Sequence, residues 1–72
     1  MDKNLLVDLG KRLKALRESK GLKQREMAEM MGLQLRRYQR YEYGEVSVPL
    51  DTLNFFADFF GVTADYLLGR GE

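Results

Sequence analysis

Cysteine and histidine are both missing from this sequence. Their absence removes disulfides, thiol chemistry and the usual zinc ligand sets, and with them the commonest catalytic bases and nucleophiles. Ser19 and Ser47 have no evident activating partner, the carboxylates are scattered over polar positions, and there is no glycine-rich phosphate loop. The sequence therefore predicts no enzymatic activity, no metal and no cofactor. Long apolar runs are missing as well. None exceeds four residues, too few to span a bilayer. Leu5-Leu6-Val7 is cut off at once by Asp8, which is no signal-peptide pattern. A cytoplasmic protein is expected. The 72 residues make a single domain over 1–72. A chain of this size buries only about 60% of the surface it exposes when unfolded, so its core is small and a partner subunit would add useful burial.

Net charge is also nearly absent, at +1, but its distribution is uneven. Ten basic residues lie between Lys11 and Arg40, against Glu18, Glu26 and Glu29, a local excess of seven. The remainder of the chain carries Lys3 and Arg70 against eight carboxylates. A molecule polarised in this way turns its basic side toward a polyanion, although solvated helix faces give the same count.

Five short helices fit the apolar pattern and no strand does. Leu5, Leu9, Leu13 and Leu16 recur at helical spacing, which predicts a first helix from about Asn4 to Ser19, with Asn4 as N-cap and Gly21 just beyond its end. A second helix is expected over Gln24 to Met31, with Met27, Ala28 and Met31 inward and Gly32 breaking it. A third covers Leu35 to Tyr43, with Gln34 at its cap, Tyr38 and Tyr41 inward and Gly44 closing it. Glu45 to Val48 reads as a loop. The one proline, Pro49, suits the first turn of a fourth helix. That helix spans Leu50 to Phe60, with Leu50, Leu53, Phe56, Ala57 and Phe60 on its core side. Thr63 then caps a short fifth helix from Ala64 to Leu68.

The stretch from Gln24 to Tyr43 places two helices across each other with three or four residues between them. Such a crossing needs a small side chain at the contact, supplied by Ala28, and a residue at ease with positive φ in the turn, supplied by Gly32. Met27, Met31, Leu33, Tyr38 and Tyr41 anchor both helices, and Met27, Met30 and Met31 read as core filler. The outer face of the third helix is then left with Arg36, Arg37, Gln39 and Arg40, side chains suited to bidentate bonds with guanine and adenine edges.

These residues resemble the phage repressor and Cro family of helix-turn-helix regulators, over nearly the whole chain. The matching stretches are Leu9–Arg17, Gly21–Gln24, Met27–Gly32, Arg40–Gly44 and Phe60–Gly69. The resemblance implies an all-α, five-helix, lambda-repressor-like domain that binds double-stranded DNA and regulates transcription, most simply as a phage or bacterial repressor. It implies that Gln34, Leu35, Arg36, Arg37, Gln39 and Arg40 face the bases, that Lys23, Gln24 and Tyr43 contact the phosphate backbone, and that Arg17 and Glu42 form a buried ion pair. Three positions depart from the family pattern. Lys23 stands where a capping Thr or Ser is usual, Tyr38 where Ile or Val is usual, and Leu35 where Gln or Arg is frequent. Leu35 either helps to pack the turn or touches a thymine methyl.

Two other assignments use the same fold: a protein-interaction module that does not bind DNA, and an antitoxin or restriction-controller protein. Acidic or apolar residues on the outer face of the third helix would favour the former, and three arginines with Gln39 favour DNA. The pattern closes near Gly69, which suits a complete small protein and the N-terminal part of a longer one equally well. Assembly is expected through the fourth helix. Phe55 and Phe59 lie outside its core arc and next to each other, and a paired aromatic patch calls for a partner. The expected partner is a second copy of the chain, giving a homodimer on a palindromic operator. The competing reading packs Phe59 on a neighbouring helix and leaves only Phe55 exposed.

Overall fold

The computed structural model describes residues 2–70 and contains five α-helices and no strand among them. In chain order they are α1 (Lys3–Ser19), α2 (Gln24–Met31), α3 (Leu35–Glu42), α4 (Leu50–Phe60) and α5 (Ala64–Leu67). The all-helical expectation holds, with shifts at the ends. Asp2, not Asn4, caps α1: its carboxylate accepts from the Asn4 N–H at 2.7 Å. An aspartate here also places negative charge at the positive end of the helix dipole. Tyr43 is the C-cap of α3 rather than its last residue, and α5 stops at Leu67. Pro49 precedes α4 as its N-cap. Thr63 caps α5 as expected, accepting from the Tyr66 N–H at 3.0 Å.

The core is built where the helices face one another. Leu9 and Leu13 of α1, Met27 and Ala28 of α2, Tyr38 and Tyr41 of α3, Leu53, Phe56 and Ala57 of α4, and Leu67 of α5 form one buried cluster. Phe56 lies fully buried within it. Its ring meets those of Tyr38 and Tyr41 edge-on, at centroid distances of 6.3 and 6.2 Å. Such edge-to-face contacts add about 0.5–1.5 kcal/mol to simple burial.

Two apolar residues do not lie where the sequence places them. Leu50 was expected on the core side of α4 but is 82% exposed, on the first turn of that helix. Val48, in the preceding loop, is the apolar side chain buried at this end. Met30 is not core filler but exposed, whereas Met31 is half-buried and packs against the core cluster as expected. The Phe55–Phe59 pair does stack, with centroids 5.7 Å apart. Both rings nevertheless lean on the core cluster and are half-buried, so they present less apolar surface than a helical wheel implies. Phe59 is also held from the C-cap of α1, because the Lys20 ammonium sits 5.5 Å from its ring centroid.

The placement of α3 depends on two glycines. Gly10 lies within α1 and is buried, and a Cβ there would stand 2.2 Å from the carbonyl oxygen of Glu42. Gly44 follows α3 with φ +71°, and a Cβ there would stand 2.7 Å from the Val7 Cα. At both positions the backbone of α1 approaches the end of α3 too closely to leave room for a side chain.

Candidate nucleic-acid interface

The turn between α2 and α3 fixes how α3 projects. Gly32 takes up the left-handed conformation, φ +67°, and the Leu33 N–H bonds back to the Ala28 carbonyl at 2.9 Å. This closes the end of α2 and leaves three residues before α3. No atom lies within 4 Å of a Cβ built at Gly32, so the glycine serves the φ angle and not a close approach. At the start of α2, Lys23 has no side-chain oxygen to cap with. The Glu26 carboxylate reaches back instead and accepts from the Lys23 N–H at 2.8 Å, satisfying one of the free donors of the first turn.

With Tyr38, Tyr41 and Glu42 turned inward, α3 shows solvent a face of cations. Arg36, Arg37 and Arg40 are exposed, and Leu35 and Gln39 are half-buried. The helix stands as a ridge between two shallow grooves. Gln34, Arg36, Arg37, Arg40, Val46 and Ser47 line one. Leu35, Arg36, Gln39, Arg40, Tyr43 and Glu45 line the other. Arg36 and Arg40, one turn apart, border both. Lys23 is exposed just ahead of α2, and Tyr43 is 53% exposed at the end of α3. The loop reading of residues 45–48 did not identify Ser47 and Val46 as the wall of the first groove. Their only sequence signal is their position directly after α3.

Behind the ridge lies a buried polar network. The Arg17 Nε donates to Glu42 Oε2 at 2.6 Å, and Nη2 donates to Oε1 at 3.2 Å. The third arm, Nη1, donates to the Leu22 carbonyl at 2.6 Å. Glu42 also accepts from the Tyr38 hydroxyl and, at 3.0 Å, from Gln24 Nε2. Gln24 Oε1 in turn accepts from Gln39 Nε2 at 3.1 Å. The Tyr38 hydroxyl reaches the buried carboxylate, which accounts for a tyrosine where the resemblance leads one to expect Ile or Val. No buried side-chain N or O lacks a partner among the described residues, as a polar network in a small core requires.

The network fixes the protonation of its members. Burial works against ionisation of Glu42, but hydrogen bonds from Arg17, Tyr38 and Gln24 together outweigh it and hold the carboxyl below its ordinary range. The hydrogen bond to Glu42 raises Arg17 further, against the opposing effect of burial. Burial, and then the bond to Glu42, push the Tyr38 hydroxyl far above the usual phenol value. At neutral pH the centre is therefore an ionised pair with a neutral tyrosine. No group of three or more His, Cys, Asp or Glu that could hold a metal occurs among the described residues.

Three comparisons bear on this arrangement. A family model described as "Helix-turn-helix" matches residues 13–67. The chain is 41% identical over 59 residues to a Bacillus subtilis (strain 168) protein named SPbeta prophage-derived uncharacterized HTH-type transcriptional regulator YonR. That match takes in 82% of the chain and 55% of the relative. It is 36% identical over 66 residues to the HTH-type transcriptional regulator ImmR of the same organism, covering 92% of the chain and 52% of the relative. The chain thus spans about half the length of the curated relatives it matches. Among solved structures, the DNA-binding domain of BldD superposes with a TM-score of 0.78 at 29% identity, over 93% of this chain and 97% of that one. The matched segment includes α2, the Gly32 turn and α3, and the chain belongs to the helix-turn-helix family.

Proposed function

We propose that this chain is a sequence-specific double-stranded DNA-binding regulator of transcription, acting most simply as a repressor, with α3 entering the major groove N-terminal end first. One observation carries the reading. The solvent-facing side of α3 presents Arg36, Arg37 and Arg40 on a ridge between two open grooves, and the first turn of that helix holds no acid. Arginine forks match guanine edges and phosphates bidentately, and a convex helix suits the width of a major groove.

In this arrangement Gln34, Leu35, Arg36, Arg37, Gln39 and Arg40 face the bases, while Lys23, Gln24 and Tyr43 meet the phosphates on either side. The Gln24 side chain already serves Glu42 and Gln39. One amide hydrogen and its backbone N–H at the start of α2 remain for a phosphate. The names of the relatives, which are transcriptional regulators, and the likeness to a DNA-binding domain support the same reading.

The active form is a two-fold homodimer on a palindromic site, with two copies of α3 about 34 Å apart, one turn of DNA. The half-exposed Phe55–Phe59 stack and the exposed Leu50 on α4 support the α4 side as the contact. Such a protein works at the nucleoid, in the cytoplasm. Among the described residues, no helix is long and apolar enough to cross a membrane.

Selection from a random duplex pool tests the reading. Wild type should enrich a single palindromic motif, and Arg36→Ala or Arg40→Ala should weaken binding by about 1–3 kcal/mol and relax preference at one base position. If wild type enriches nothing, the fold serves another partner. If both alanine variants keep wild-type affinity and preference, α3 is not the reader.

A further inference from the structure

We propose that Glu42 and Gln24 are positioning residues for base readout, and that they fix which edge of the Gln39 amide faces the DNA. The proposal rests on the DNA-binding reading above and assigns it a specificity device.

The two ends of a carboxamide are alike in shape and differ only in hydrogen-bonding sense. Partners therefore decide which way an amide points. Glu42 is ionised and buried, so it can only accept. Gln24 must turn its Nε2 toward Glu42 Oε1, and it lies at 3.0 Å. The carbonyl of Gln24 then faces away from the core, and a carbonyl can only accept. Gln39 must turn its own Nε2 toward that oxygen, and it lies at 3.1 Å. The sense imposed at the carboxylate thus passes through two amides in series and out to α3. Arg17 and Tyr38 anchor the inner end by holding both oxygens of Glu42.

What remains at the outer end is definite. Gln39 keeps its carbonyl oxygen, which accepts no bond from the described residues, and one amide hydrogen. It lies in the wall of the groove beside Leu35, Arg36 and Tyr43. An acceptor next to a donor complements the N6–H and N7 of adenine, whereas guanine offers two acceptors, O6 and N7, and would set oxygen against oxygen. A Gln39 free to rotate would lose side-chain entropy on binding, and the bridge to Gln24 settles part of that cost in the unbound protein. The base pair opposite Gln39 is therefore read as adenine, and that preference depends on Gln24 as much as on Gln39.

Random-pool selection with four proteins tests this: wild type, Gln39→Met, Gln24→Met and the double variant. Gln24→Ala serves as a second truncation, and a thermal melt of each verifies folding. Wild type should prefer adenine at one position by about tenfold or more, within the range of a bidentate contact. Gln39→Met should flatten that position. Gln24→Met should cut the preference there to a third or less and leave the other positions sharp. The double variant should match Gln39→Met at that position, since the two act through one edge. A Gln24 that serves only a phosphate would instead weaken all sequences by one common factor. If Gln24→Met and Gln24→Ala do this and keep the adenine preference, the relay is overturned while DNA binding stands. If Gln39→Met changes no position, Gln39 does not read a base and the proposal fails in the same way. A wild type that selects nothing overturns the DNA reading itself, and this proposal with it.

Discussion

Gly10→Ala sets two physical effects directly against each other. In a helix interior alanine is favoured over glycine by about 1 kcal/mol, so local propensity alone makes the substitution stabilising. The packing predicts the reverse. The added Cβ would lie 2.2 Å from the Glu42 carbonyl oxygen and 2.8 Å from that of Tyr41. These are backbone atoms at the end of α3 and cannot rotate out of the way. Real Cβ atoms do not approach closer than 3.0 Å, so α1 and α3 must move apart locally by most of an ångström. That separation acts on the residue whose carboxylate pairs with Arg17 of the same α1 at 2.6 Å, and on Tyr41, which packs on Phe56. Overpacking of this kind costs about 1–3 kcal/mol, and the strained ion pair places the effect at the upper end. Allowing for the propensity gain, a net loss of roughly 2 kcal/mol is expected. For a domain of this size that lowers the Tm by roughly 8–16 °C, a large part of a total stability of about 5–15 kcal/mol. Thermal and urea melts followed by far-ultraviolet circular dichroism measure it directly. A variant that melts at or above the wild-type temperature would refute the close α1–α3 approach on which the position of α3 depends.

Arg17→Met should cost about 3–5 kcal/mol by leaving the Glu42 charge buried without its main partner. Urea midpoints that stay within error of wild type would show the pair to be solvated instead. Stability should also depend on pH in two windows. Glu42 is held below its ordinary value in the folded state, so its contribution is present above about pH 4.5 and is lost as pH falls further through the folded value. Tyr38 is raised, so its contribution is present below about pH 10 and is lost as pH climbs above that. Tyr38→Phe should flatten the alkaline limb of a plot of melting temperature against pH, and an unchanged limb would assign it to another group. For assembly, sedimentation at micromolar concentration should find wild type dimeric and Phe55→Lys monomeric. If both sediment as monomers with and without DNA, the α4 contact is wrong.

The helices were legible in the sequence because each has its own local signals. Leu9 and Leu13 mark the inward stripe of α1, Gly32 the end of α2, and Thr63 the start of α5. Residues whose place depends on what faces them were not legible. Leu50 belongs to the core arc of α4 by angle but is 82% exposed, while Val48, from a segment without periodicity, is buried. Phe55 and Phe59 are adjacent by spacing, yet how far the core covers them depends on how α4 meets its neighbours. The candidate site divides in the same way. The outward face of α3 follows from its inward face, so Arg36, Arg37 and Arg40 could be read directly. The bridge from Gln39 to Gln24 joins residues 15 apart in the chain. The Tyr38 hydroxyl could have been assigned to Glu42 from the helical spacing of four, but the residue's apolar position in the pattern concealed its polar role.

Arg36, Arg37 and Arg40 are exposed and donate no side-chain hydrogen bond to another described residue. Substitutions there should alter stability by no more than about 0.5 kcal/mol, so under the proposed readout base preference at those positions can be varied almost independently of the fold. Gln39 differs because its amide is tied through Gln24 to the carboxylate that joins α1 to α3. A charge introduced at position 39 would face that network. An acidic side chain there would set its oxygens against the Gln24 carbonyl and force that amide to turn, costing Glu42 one of its donors. Under the proposed readout, new specificity should therefore arise readily at the arginine positions, whereas an acidic residue at position 39 requires a matching change at Gln24.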